Sequence, residues 1–153
     1  MLFFFLAINI LLSISIIYKI FKKNKSFFTY LCPYQHKCHK EMLQLTYIFH
    51  SCFALETDNC ILIFDYWLDT CNVMNRFITT KKRVYAFASH FHEDHFTRDI
   101  FKWKEDGLNV TYILSKDILK HRRANKEEAD VWLAKGGTWE DENIKVTATG
   151  SND

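Results

Sequence analysis

The chain has 153 residues, 48% hydrophobic, 25% charged and 16% aromatic, with four glycines, one proline and a net charge of +2. That length holds one domain and at most a small second piece, and so aromatic a chain with so little Gly and Pro is neither disordered nor collagen-like. Residues 1–41 carry six lysines against Glu41, leaving 14 basic and 17 acidic side chains for residues 42–153. The body is therefore mildly acidic, which argues against a nucleic acid or other polyanion as partner.

In chain order, Leu2 to Tyr18 is an apolar run broken only by Asn9, Ser13 and Ser15, and extended by Ile20 and Phe21. A helix rising ~1.5 Å per residue needs about 20 such residues to span hydrocarbon, so residues 2–21 are just long enough for a hydrophobic N-terminal helix. The lysines on its C-terminal flank would hold that side in the cytoplasm and tether the body there. The competing reading is a non-native or disordered extension, with Met42 opening the true first strand. Cys32, His36, Cys38 and His39 lack a second ligand pair at a usual distance and read as no zinc knuckle. Five scattered cysteines read as reduced, buried thiols of a cytosolic protein.

Leu45–Leu55 and Cys60–Tyr66 are β-rich runs around a polar turn, Glu56 to Asn59. Ile61 to Phe64 is a continuous apolar run, as expected of a strand covered on both faces, and Arg83–Ser89 is a third strand of the same buried type. Phe96, Ile100 and Trp103 then recur at helical spacing up to Gly107. Val110–Leu114 is a fourth strand, with Ser115 placed to cap the next helix. Asn125 with Glu128 resembles a capping box opening a further helix, stopped by Gly136-Gly137. Ile144–Thr149 is a last strand. This alternation predicts an α/β fold.

The chemistry concentrates in His90-Phe91-His92-Glu93-Asp94-His95. Leaving an extended segment, His90 and His92 would point to the same side, ~6.6 Å apart at the backbone. Two neutral imidazoles at that reach suit one zinc at ~2.0–2.1 Å, and Asp94 with His95 would serve a second position beside it.

The spacing His-x-His-x-Asp-His resembles the signature of the metallo-β-lactamase fold hydrolases. Leu45-Thr-Tyr-Ile-Phe-His-Ser-Cys-Phe-Ala-Leu-Glu56 is similar to the first strands of the branch that includes ascorbate-phosphate lactonases, where a His-Ser pair follows strand one. Asp65 matches an early aspartate that helps hold the metal loop. The resemblance covers residues 42–153 and implies the N-terminal half of an αββα sandwich. It further implies that His90 and His92 bind a first ion, and Asp94 and His95 a second. The ions would be zinc, with manganese or iron as alternatives. A hydroxide between them would be the nucleophile, with Asp94 as the catalytic residue that orients the water and shuttles its proton. His50 reads equally as a neighbour of the site and as a satisfied histidine at a strand end.

The family's remaining ligands lie further along the chain. Here only His121 follows, in a Lys-His-Arg-Arg segment that reads as a solvated basic face. Thr149-Gly-Ser-Asn-Asp153 resembles a turn leading into the next strand, with Asp153 a turn residue. The expectation is a truncated hydrolase with one sheet face bare, prone to pair with a second copy or with a missing C-terminal half. The leading function is zinc-dependent hydrolysis of a small ester, lactone or phosphoester. The alternative is a non-catalytic metal-binding or interaction remnant. A nuclease fits the acidic body poorly.

Overall fold

A computed structural model describes residues 43–149 of the chain. The apolar run 2–21 and the group Cys32, His36, Cys38 and His39 lie outside the described residues. The chain divides into two units, Glu41–Ala134 and a second of which residues 135–149 are described.

The first unit is built on a six-stranded sheet whose spatial order follows the sequence. β1 (Gln44–Phe49), β2 (Cys52–Glu56) and β3 (Cys60–Phe64) pair antiparallel. β4 (Arg83–Ala88), β5 (Val110–Ser115) and β6 (Val131–Leu133) then add on parallel to β3. Every residue of β3 is buried, which is why its sequence runs apolar without alternation. On one face Ile61, Ile63, Val84, Ala86, Tyr112 and Leu114 pack with Phe96 and with helical Phe77, Ile100, Trp103 and Ile118 in one core. The fold class is thus α/β, with a mixed, mostly parallel sheet.

The opposite face is not bare. Leu55, Leu62, Tyr85 and Ile113 are buried there, and among the described residues the exposed large hydrophobics are Leu43, Leu45, Tyr47 and Leu68. Phe53, Phe64 and Phe87 stack across three neighbouring strands at 4.7 and 4.8 Å between ring centroids, so each ring covers the next.

The connections are short helical turns. Asp69 accepts from the amides of Val73 and Met74 at 2.8 and 2.7 Å, which starts α1 (Asn75–Ile78), an element the sequence pattern did not announce. After the histidine motif a 3-10 turn, Arg98–Phe101, runs into α2 (Lys102–Glu105), and Gly107 leaves it at φ +91°. α3 (Lys116–Lys120) follows β5. Ser115 holds its N-cap position without the expected hydroxyl hydrogen bond.

Three segments differ from the sequence-based expectation, two of them in this unit. Leu45–Leu55 is two strands, because His50 takes a left-handed φ of 50° and reverses the chain, so that Phe49 pairs with Cys52. The helix expected after Asn125 is only a 3-10 turn, Lys126–Glu128. Its capping box is present, with Glu128 Oε2 accepting from the Asn125 amide at 2.6 Å. Asp130 then accepts from the Tyr112 amide at 2.8 Å and from Lys104, which draws the chain onto the edge of β5 as β6. A sheet edge offering hydrogen bonds outcompetes a local helical preference.

In the second unit β7 (Thr138–Glu140) and β8 (Lys145–Thr147) form an antiparallel hairpin. The expected strand 144–149 therefore shortens at both ends, because Asp141 accepts from the amides of Asn143 and Ile144 in the turn. Among the described residues, no helix is long and apolar enough to cross a membrane. Cys52 and Cys60 are buried, whereas Cys71 is exposed.

Candidate metal centre

The titratable residues gather at the carboxyl end of the parallel strands, where open α/β sheets ordinarily place ligands. Asp65 follows β3, Ser89 and His90 follow β4, and the turn between β1 and β2 adds His50 and Ser51. Asp65 is pinned by its own amide, which donates to Phe87 O at 2.9 Å. Both His50 and Asp65 have positive φ, 50° and 48°. Two non-glycine residues in that sparsely populated region at one site mark a place where the fold holds unfavourable backbone for the sake of side-chain position.

Asp65 organises the site. Its Oδ1 accepts from the Ser89 amide at 2.7 Å, and its Oδ2 from Ser89 Oγ at 2.9 Å and His95 Nδ1 at 3.0 Å. An ionised carboxylate can only accept, so the His95 proton sits on Nδ1 and the Nε2 lone pair of the neutral ring is free. Ser89 has committed its hydroxyl proton to Asp65, so at 2.9 Å it accepts from His90 Nδ1, and that ring too keeps a free Nε2. One carboxylate thereby sets the tautomer of two imidazoles, the arrangement that metal-ligating histidines commonly have.

Asp94 stands opposite. Its Oδ2 lies 3.0 Å from His50 Nε2 and 3.3 Å from His95 Nε2. Ser51 Oγ donates to the Asp94 carbonyl at 3.0 Å. The ligand atoms of His50, Asp94 and His95 all fall within 4.8 Å of one another, so the three could hold a metal ion. Partial burial works against ionisation of Asp94. The charge of His95, a backbone hydrogen bond and His50 outweigh it and hold the carboxyl below its ordinary value. Burial likewise disfavours a charged His95, but the hydrogen bond and charge of Asp65, with Asp94, raise it above the ordinary histidine value. His90 is lowered, first by burial and then by neighbouring His95, against the pull of the Asp65 and Asp117 carboxylates.

His90 and His92 do not leave an extended strand. β4 stops at Ala88, and His92 O accepts from the amides of His95 and Phe96 at 3.1 and 3.0 Å, closing a tight turn. The rings still meet, His90 with His92 at 4.8 Å and with His95 at 4.0 Å between centroids. Two contacts fasten this loop from outside. Phe91 stacks on His121 at 3.7 Å and 11°, and Arg123 lies 3.6 Å from Glu93. His121, expected on a solvated basic face, is exposed but packs against the motif. Sequence reasoning missed Ser89, whose only signal was its place just before the motif. It also missed Trp67, set edge-on to His50 at 6.0 Å, for which no local signal exists.

A solved structure that this chain is similar to is described as Igni18, a novel metallo hydrolase from the hyperthermophilic archaeon Ignicoccus hospitalis KIN4/I. The identity is 22% and the TM-score 0.47, over 64% of this chain and 42% of that one. The chain thus spans less than half the length of that structure. No protein-family model and no curated protein matches the chain.

The donor set suits a divalent ion on its own chemistry. Imidazole nitrogen mixed with carboxylate oxygen matches a borderline-soft metal such as zinc, with manganese and iron also compatible. The free Nε2 lone pair of neutral His95 faces an Asp94 oxygen, two acceptors side by side that repel unless a cation or proton lies between them.

Proposed function

We propose that this chain carries the metal centre of a hydrolase of the metallo-β-lactamase type, acting on a small ester, lactone or phosphoester. The observation that carries the reading is the convergence of His50, Asp94 and His95 around one point, with the tautomer of His95 set by Asp65. His90 and His92, whose rings adjoin His95, supply further nitrogen donors. When bound, a divalent ion lowers the pKa of a coordinated water and polarises the substrate oxygen.

The chain's own residues supply the rest. In the neutral rings, Asp65 and Ser89 place the proton of His95 and His90 on Nδ1 and leave Nε2 as the donor lone pair, each ring aimed by a hydrogen bond on its far side. Asp94, held ionised, can orient an attacking water and accept its proton through the carboxylate oxygen that is not turned to His50 and His95. Ser51 fixes the Asp94 backbone, so the acceptor oxygen does not have to be ordered at the moment of reaction. The apolar segment 2–21 suits a tether on the cytoplasmic face, a reading that rests on the sequence alone.

The test is hydrolysis of an activated acetate ester and of bis(p-nitrophenyl) phosphate by the full chain, with zinc or manganese and with chelator. Metal-dependent turnover that His95→Ala lowers at least roughly 100-fold supports the hydrolase. Stoichiometric metal without turnover supports the alternative, a binding module of the same fold. No bound metal after reconstitution overturns both.

A further inference from the structure

One further carboxylate follows the end of β5. Asp117 lies in the first turn of α3, and its Oδ1 is the one buried side-chain polar atom without a hydrogen-bond partner among the described residues. Folded chains leave few such atoms, and each asks for a reason, an ion or ligand among them.

The topology says where that oxygen sits. β4 and β5 are parallel and in register up to Ala88 and Leu114. His90 is two residues beyond the first of these and Asp117 three beyond the second, so both emerge at the same end of adjacent strands. The carboxylate of Asp117 also acts on His90 electrostatically, favouring its charged form. His90 Nδ1 is engaged by Ser89, and its Nε2 makes no hydrogen bond among the described residues. A nitrogen lone pair and a carboxylate oxygen at the same end of adjacent strands, neither with a hydrogen-bond partner, would be satisfied together by one cation.

We propose that Asp117 is an oxygen ligand to the ion bound by His90, supplied from the end of β5. The proposal rests on the reading of the site as a metal centre, but it names a donor outside the His-x-His-x-Asp-His run.

The experiment compares the full chain with Asp117→Asn and Asp117→Glu. Zinc affinity is measured by competition with a chromophoric chelator, the cobalt form by its visible absorption, and thermal stability in excess chelator. For D117N we expect zinc binding about 10–100-fold weaker, an altered cobalt spectrum, and metal-free stability equal to or above that of the parent. D117E should recover part of the affinity. Parental affinity and spectrum in D117N would overturn the proposal while leaving the metal centre standing. Loss of metal-free stability with the affinity unchanged would make Asp117 structural and overturn it too. Failure of the parent chain to bind zinc or cobalt would overturn the metal reading itself, and this proposal with it. Should D117N fail to fold, D117S serves in the same comparison.

Discussion

Asp65 does more at this site than any residue of the histidine run. It accepts three hydrogen bonds from Ser89 and His95 and thereby decides which nitrogen of two imidazoles faces the centre. Asp65→Ala leaves both rings free to flip or change tautomer. Metal affinity should then fall about 10–100-fold, read by chelator competition, even though no proposed ligand has been touched. The ion pair of His95 with Asp65 makes a second prediction, for metal-free protein. His95 has a folded value raised above the ordinary 6.5, so its charged-state contribution is fully present below that value and fades as pH rises through the raised one. The stability gap between the parent and His95→Ala in chelator should therefore narrow from pH 6 to pH 8, followed by urea unfolding. It should not vanish, because neutral Nδ1–H still donates to Asp65. A gap that widens over that range would mean that His95 is not charged beside Asp65 at low pH.

At the scale of elements, the parallel strands β3 to β5 form the frame on which the loops hang. Ile63 on β3 is 1% exposed and inside the core, and truncating it to Ala should cost about 2–5 kcal/mol by lost burial and a residual cavity. Leu45 on β1 is 60% exposed, and the same truncation there should stay within about 0.5 kcal/mol. Denaturant midpoints of the two variants check the contrast. The motif loop has its own fastenings, since Phe91 on His121 and Glu93 by Arg123 tie it to the residues just after α3. Exposed pairs of this kind contribute little to global stability, so their worth lies in limiting the motion of His90 and His92.

For the whole molecule, metal and folding are linked. An ion that binds the assembled site and not the unfolded chain should add about 2.7 kcal/mol at one hundred times its dissociation constant. For a body of roughly 100 residues this raises the melting temperature by on the order of ten degrees or more. Calorimetric scans with zinc and with chelator measure it, and a melting temperature indifferent to metal would count against a site built from β1, β3 and β4 together.

Much of this was legible in the amino-acid order. The strands expected at Cys60–Tyr66 and Arg83–Ser89, observed as Cys60–Phe64 and Arg83–Ala88, and the burial of Phe96, Ile100 and Trp103 could be read directly, because a side chain's burial leaves its period in the sequence, although the helical turn starts only at Arg98. So could the concentration of His90, His92, Asp94 and His95 after a strand. Other features depend on contacts between distant segments. Only the register of β4 on β3 and β5 sets Asp65 against Ser89 and brings Asp117 to the end of the sheet that carries His90. Only the turn at His50 brings that ring to Asp94, 44 residues away. The helix expected after Asn125 gave way for the same reason, since the open edge of β5 lies outside any local window. Local pattern determined which residues are buried and where the histidines cluster. Long-range hydrogen bonding decided which of their nitrogens are free and which carboxylates stand beside them, because tautomer and donor geometry belong to pairs of residues that the chain brings together only when folded.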